Sequence, residues 1–171
     1  MKKLSMLFAT LAAVCVLHAE CDYYAQLSAW APGQIPCAPT AEISGLRLSM
    51  FYGDCQTLNG LDLGLSGRAR QRMNGLQINP IFSVDSTLAG LGLGVVNFVE
   101  NEMYGVQVGL WNHANWGAGL QAGLVNTASS FAGLQVGAFN WADDLDGLQL
   151  GLINVIADQT VFVFPILNIG F

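Results

Sequence analysis

Apolar and polar residues alternate in short stretches over most of the chain. In one stretch, Val106, Val108 and Leu110 alternate with polar or small residues, the first of which is Gln107. A period of two predicts a β-strand that buries one face, because successive side chains point to opposite sides of a strand. We therefore expect the aliphatic side chains of these stretches to lie inside and the glutamines to lie on the opposite face.

The alternating stretches belong to a tandem repeat. Eight glycines open similar phrases, 15 residues apart up to residue 105 and 14 apart after it: Gly45, Gly60, Gly75, Gly90, Gly105, Gly119, Gly133 and Gly147. The four clearest copies share Gly, Gln, Gly and Asn at fixed positions, which are Gly105, Gln107, Gly109 and Asn112; Gly119, Gln121, Gly123 and Asn126; Gly133, Gln135, Gly137 and Asn140; and Gly147, Gln149, Gly151 and Asn154. We interpret the asparagines as corner residues, since Asn tolerates left-handed backbone. Such short strands cannot bury an apolar face alone, so the copies are expected to stack.

Two all-β folds would stack these copies. In a β-solenoid each 14–15-residue repeat is one coil, with Leu and Val inside and ladders of Asn and Gln along the stack. In an up-and-down outer-membrane β-barrel of ~10 strands, each repeat is one strand. The one-strand unit favours the solenoid, as does the apolar segment of roughly 16 Å, which is shorter than the ~25 Å band of outer-membrane barrels. The alternating C-terminal sequence that ends in Phe171 favours the barrel. We predict the solenoid and keep the barrel as the alternative.

Residues 1–19 have the features of a secretory signal peptide. Lys2 and Lys3 precede an apolar run from Leu4 to Leu17, and a small residue, Ala19, follows. The run is shorter than the ~20 apolar residues of a membrane-spanning helix. We divide the remainder into a capping segment at residues 20–44, eight tandem β repeats at residues 45–160 and a closing strand at residues 161–171.

Export changes the interpretation of the cysteines. Disulfides form in oxidising compartments, and Cys21 and Cys37 both lie in the capping segment. We predict a disulfide between them, which leaves Cys55 as a spare thiol.

Composition and charge exclude several classes of function. With 6 Lys+Arg and a net charge of −6, the chain cannot neutralise a phosphate backbone, so we expect no nucleic-acid binding. His113 follows Asn112 and is interpreted as a solvated turn residue. Two groups of charged residues are also expected on the surface, the arginines Arg68, Arg70 and Arg72 and the acidic run Asp143, Asp144 and Asp146. No catalytic, cofactor or metal site is evident, and we expect that the protein is not an enzyme.

The repeats carry a family resemblance. The GLQxGLxN phrases, the ISGLRLSMFYG segment at Ile43–Gly53, the GLDLGL segment at Gly60–Leu65 and the closing FPILNIGF at Phe164–Phe171 resemble an uncharacterised family of exported bacterial proteins with tandem surface repeats. The resemblance covers residues 43–171. This chain departs from the pattern at Gly60–Gly67 and Gly75–Phe82, where the Asn is missing. The resemblance implies export and placement at the cell surface or outer membrane, and it brings no catalytic residues.

Together these observations predict an exported protein of the cell surface or outer membrane, with periplasmic or secreted placement as alternatives. Its role is expected to be structural or in binding. The expected partners are a surface partner of unknown identity, the outer membrane or further copies of the chain. The alternative function, linked to the barrel, is a small pore or anchor.

Overall fold

The protein is built from β-strands. The structure is a computed structural model that describes residues 22–30, 33–35, 40–158 and 163–171, so the predicted signal peptide, Cys21 and Cys37 lie outside the described residues. The strands are β1 Asp22–Trp30, β2 Gly33–Ile35, β3 Glu42–Ser49, β4 Gly53–Gly64, β5 Ser66–Val108, β6 Trp111–Ile156 and β7 Val163–Gly170. Strands β5 and β6 are 43 and 46 residues long. They reach this length because each winds around the stack more than once, so that Gly90 of β5 lies against Gly75 of the same strand.

Successive repeats pair in parallel and in register. Gly45 of β3 pairs with Gly60 of β4, Gly60 pairs with Gly75 of β5, and Gly105 of β5 pairs with Gly119 of β6. Each partner is one repeat further along the chain, which is the geometry of stacked coils. The predicted β-solenoid is therefore confirmed. The alternative ~10-stranded up-and-down barrel is wrong, because its successive strands would run antiparallel.

The repeat glycines have a backbone conformation that other residues rarely adopt. All eight have positive φ angles, between 127° and 151°. From the second copy onward, a Cβ atom at this position would lie 2.0–2.2 Å from the carbonyl oxygen of the glycine one coil earlier. Both the φ angle and the close approach require glycine, because it has no Cβ atom. This requirement explains why the repeat is anchored on Gly.

The glutamines lie inside the solenoid, which corrects the expected orientation of the strands. Gln107, Gln121, Gln135 and Gln149 are all fully buried. The side-chain amides of the last three each donate to the amide oxygen of the Gln one coil earlier, at 2.8–2.9 Å. The alternating aliphatic side chains therefore point outward rather than into the core. Burial of the amides is tolerated because their hydrogen-bonding groups are paired along the stack.

The asparagines form a second interior ladder and are not corner residues in left-handed conformation. Asn97, Asn112, Asn126, Asn140 and Asn154 are buried, and each of the first four donates to the side-chain oxygen of the next at 2.8–2.9 Å. Among the described non-glycine residues, only Ile166 has a positive φ. The second glycine of each repeat leaves room for this ladder. A Cβ atom on Gly123, for example, would lie 2.7 Å from the Nδ2 atom of Asn112.

The apolar core occupies the remainder of the interior. One column holds the residue two positions before each repeat glycine, which is Ile43, Leu58, Met73, Leu88, Met103, Gly117, Phe131 or Leu145. A facing column of smaller residues includes Ala69, Val99, Ala114, Ala128 and Ala142. At the one glycine of the first column, a Cβ atom would lie 2.6 Å from the ring of Phe131. Gly117 therefore provides the space that the large Phe131 ring fills.

An antiparallel strand closes each end of the stack. At the C-terminal end β7 pairs antiparallel with β6, and at the other end β2 pairs antiparallel with β1, which runs parallel to β3. These strands also complete the ladders. Asn154 donates to the carbonyl oxygen of Phe164 at 3.0 Å, and Asn168 donates to Gln149 at 3.4 Å. In the last coil, the Asn and the Gln of the two ladders thus both have hydrogen-bond partners in β7.

Candidate functional site

The stretch of strand that follows each repeat glycine, the first segment of its coil, turns aliphatic side chains outward. Over all the coils these side chains form one surface. It consists of the residues one and three positions after each repeat glycine, together with the residues that pair with them in β1 and β7. We call this surface the aliphatic face. Its members are Ala25, Leu27, Leu46, Leu48, Leu61, Leu63, Leu76, Ile78, Leu91, Leu93, Val106, Val108, Leu120, Ala122, Leu134, Val136, Leu148, Leu150, Leu167 and Ile169. No charged or polar side chain interrupts its two columns.

The aliphatic face is open to solvent. Leu48, Val108, Val136 and Leu150, for example, are each between 37% and 39% exposed. Soluble proteins rarely expose contiguous apolar patches of more than a few hundred Å², and larger ones mark interaction sites. This surface is therefore the strongest candidate for a functional site.

Apolar residues continue the aliphatic face along the edge that follows it in the coil, whereas the edge before the repeat glycines includes the exposed Asn59 and Asp146. The residue five positions after the repeat glycine is exposed in several coils, as at Leu110 with 53% exposure and Leu152 with 74%. At the N-terminal end, an apolar cavity of about 550 Å³ opens between β1 and β3, and its lining includes Leu27, Ile35 and Met50. The apolar surface is thus continuous from one cap of the solenoid to the other.

A group of paired charged residues lies on the other side of the coil. Arg47 points inward from the first segment of its coil and donates across the interior to the carbonyl oxygen of Arg68, at 2.9 Å. The segments that contain Arg47 and Arg68 therefore face each other across the interior, and their outward side chains point in opposite directions. Arg68 pairs with Glu100 at 3.2 Å, and the Nε atom of Arg70 donates to Asp54 at 2.9 Å. We call this surface the polar side; its pairs account for two of the arginines predicted to lie on the surface.

The acidic run and His113 also lie outside the aliphatic face. Asp143, Asp144 and Asp146 are exposed, but they lie within β6 rather than in a turn. His113 is half-buried, not fully solvated as predicted, because its ring stacks on Phe98 with centroids 4.4 Å apart. Its Nδ1 atom lies 2.9 Å from the hydroxyl of Thr127. Burial lowers the pKa of His113, and its partners hold it as part of the surface packing.

An ion pair replaces the glutamines in the first coils. Arg47 and Asp62 occupy the Gln position of two consecutive repeats and are both fully buried. The guanidinium donates from Nε at 2.7 Å and from Nη2 at 2.6 Å to the two carboxylate oxygens of Asp62. Burial lowers the pKa of Arg47, but the hydrogen bonds and charge of Asp62 outweigh this effect and raise it above its ordinary value. The pair is a charged section of the interior ladder.

A second carboxyl group lies close to this pair without a cation of its own. Asp85 is buried, and its Oδ1 atom accepts from the backbone N–H of Ala69 at 3.0 Å and from Gln77 at 3.3 Å. Burial raises the pKa of Asp85 from 3.8 to about 7, since the opposing effect of Arg47 is smaller. Sequence analysis missed this group, because Asp85 falls in a degenerate copy where no repeat position identifies its direction.

Cys55 faces the same interior cluster. It is a free, buried thiol whose Sγ atom accepts from Nη1 of Arg47 at 3.0 Å. Burial raises the pKa of the Cys55 thiol to about 11, so it is protonated and unreactive at neutral pH. The predicted disulfide between Cys21 and Cys37 lies outside the described residues and stays a prediction.

The described ranges contain no group of three His, Cys, Asp or Glu side chains that could hold a metal ion. In the same ranges, no helix has the length and apolar character needed to cross a membrane. Comparison of the chain with protein families, with curated proteins and with solved structures gives no match. The resemblance to exported surface-repeat proteins therefore stays a prediction that rests on the sequence motifs.

Proposed function

We propose that this chain is an exported repeat protein of the cell surface or outer membrane, with a structural or binding role and no catalytic activity. The observation that supports a binding role is the aliphatic face, which runs uninterrupted over the stacked coils. The buried amides and the buried Arg47–Asp62 pair serve the interior ladders, where they maintain the stack. The outward aliphatic side chains have no such internal task, since the core is filled by other columns.

Export is the sequence-based part of the proposal. It rests on the charged start, apolar run and small-residue exit of residues 1–19. An acidic polar side suits a protein that stays soluble while one surface is occupied, because net charge opposes non-specific association. The polar side would then face solvent, and the aliphatic face would hold the partner.

The proposal is tested by placing two charges on each side of the same stack. In one variant, Val108→Lys and Val136→Lys put two lysines on the aliphatic face. In the matched control, Asn115→Lys and Ser129→Lys add the same charge on the polar side, at residues that also point outward. The full chain and both variants are expressed in a Gram-negative host, and protein is measured in cytoplasmic, periplasmic, outer-membrane and medium fractions.

We expect the unchanged chain and the control to be exported, shortened by about the first 19 residues, and retained in the envelope. The aliphatic-face variant should be exported equally but released, because charges without partners are costly to bury in an apolar contact. An unprocessed cytoplasmic protein would contradict export. Equal retention of all three proteins would contradict a binding role for the aliphatic face.

A further inference from the structure

The aliphatic face has the dimensions of a protein–protein interface. Its ten rows run from Leu27 in β1 to Ile169 in β7; neighbouring strands pair in register, and within β5 and β6 the repeat glycines stack directly on one another. At ~4.8 Å between neighbouring strands the rows span roughly 43 Å, and two side-chain columns cover about 14 Å across. The projected area is therefore about 600 Å² for one chain. Two such faces in contact would bury roughly 1,200 Å², which reaches the range of specific interfaces.

The shape of the aliphatic face suits another face of the same kind. Sheets pack face to face about 10 Å apart when both surfaces are aliphatic. The columns run straight along the stack, because paired rows hold equivalent positions, as Leu46 does with Leu61 and Val106 does with Leu120. Two columns of similar side chains at a regular spacing are complementary to a second copy turned about a twofold axis, the symmetry of most homodimers.

The charges are distributed so that two copies can approach through this surface. Glu100 pairs with Arg68 on the polar side, and Asp143 occupies the repeat position of the outward Ser129 on the same side, which would face outward in both copies. The exposed arginines Arg68 and Arg70 also lie there and are paired with acidic residues. Arg72, three residues before Gly75, is the one exposed arginine of the described chain outside these ion pairs, and a single cation is a weak attraction for anionic lipid headgroups, whereas the lack of charge on the aliphatic face imposes no repulsion on a second copy.

We propose that the occupant of the aliphatic face is a second copy of this chain, bound face to face in a twofold-symmetric dimer. The proposal rests on the proposed function only in the choice of binding surface, and it identifies the partner. In the dimer, the aliphatic side chains of both copies form a second apolar layer outside the amide ladders. The prominent residues at the edges, such as Leu110, lie at the rim of this layer.

The test measures the mass of the full chain in solution without detergent, by light scattering after size exclusion and by sedimentation equilibrium. The unchanged chain should have the mass of two chains at micromolar concentration. The V108K/V136K variant should be monomeric, with its dissociation constant raised at least about 100-fold, since each buried lysine would lack a partner. The N115K/S129K control should remain dimeric. Circular dichroism and thermal unfolding check that both variants keep the β-fold.

Several results would overturn the proposal. These are a monomeric unchanged chain, a dimer that survives V108K/V136K with the β-fold intact, and a dimer lost equally in the control. A monomer that binds phosphatidylcholine vesicles through the same residues would replace the second copy by a lipid surface. A monomer whose V108K/V136K variant is still released from the envelope would refute self-pairing and leave the proposed function standing.

Discussion

Replacing Asp85 by Asn should remove a pH-dependent loss of stability. The carboxyl group is buried beside Arg47, Asp62 and Cys55, and its Oδ2 atom has no hydrogen-bond partner in the described part of the chain. Burial raises its pKa from 3.8 to about 7. Asn has the same shape, still accepts from the N–H of Ala69 through its oxygen, and carries no charge. The substitution therefore isolates the effect of ionising Asp85.

The sign follows from the direction of the pKa shift. Because the folded-state pKa is the higher one, the folded protein keeps a proton that the unfolded chain releases between pH 3.8 and about 7. The contribution of Asp85 to stability is complete below pH 3.8 and is lost as the pH rises to about 7. Three pKa units correspond to about 4 kcal/mol. The D85N variant should match the unchanged chain within ~1 kcal/mol in acid and exceed its free energy of unfolding by up to about 4 kcal/mol at slightly alkaline pH.

The assay is urea unfolding followed by circular dichroism, repeated from mildly acidic to mildly alkaline pH. The measured quantity is the difference in free energy of unfolding between D85N and the unchanged chain. Asp146→Asn is the control, because Asp146 is exposed and loses the same charge. The D85N difference should grow with pH while the D146N difference stays small. A D85N difference that is flat across the series would refute the reasoning.

Three further sets of substitutions test the interior columns by the same unfolding assay. Arg47→Gln or Asp62→Gln alone should cost about 3–5 kcal/mol by leaving a buried charge, whereas the double variant should be near neutral or stabilising because two glutamines extend the amide ladder; equal losses in single and double variants would contradict this. Gly123→Ala should cost about 3 kcal/mol, since its Cβ atom would lie 2.4 Å from a backbone oxygen, and an unchanged midpoint would refute that packing. Phe131→Ala should cost about 3–5 kcal/mol, and adding Gly117→Leu should recover part of it; no recovery would show that the two positions do not share space.

The stacking of the coils could be predicted from the sequence because the repeat period is a global signal. A unit of fourteen or fifteen residues recurs too regularly for its copies to be unrelated elements. Because each unit has the pattern of one strand, it suits a fold in which successive copies stack along one axis. The parallel register confirmed for Gly45, Gly60 and Gly75 is the direct consequence. The direction of the side chains could not be predicted in the same way. A period of two shows that successive side chains point to opposite faces, but it does not show which face is buried.

The internal variation among copies contained the missing signal. At the aliphatic positions the copies exchange Leu, Val and Ala, as at Val108, Ala122 and Val136, whereas the Gln at Gln121 and Gln135 is unchanged in the regular copies. A position that tolerates exchange of side-chain volume is typical of a surface, and an unchanging amide is typical of a ladder that needs an identical neighbour. Hydrophobicity alone favours the opposite assignment. The opposite assignment is wrong because the buried amides pair with the equivalent amides of the neighbouring coils.

Register and stability depend on different columns of the interior. An apolar column of the kind formed by Leu88, Met103 and Phe131 tolerates changes of volume, so it stabilises the stack without fixing how the coils align. The amide ladders allow no such slip, because moving one coil by a single residue would turn Gln121 and Asn126 outward and leave their neighbours unpaired. The two interior systems together hold the fold without using the outward aliphatic side chains. That surface is therefore free to bind, and the proposed dimer accounts for its apolar character, which the folding of a single chain does not require.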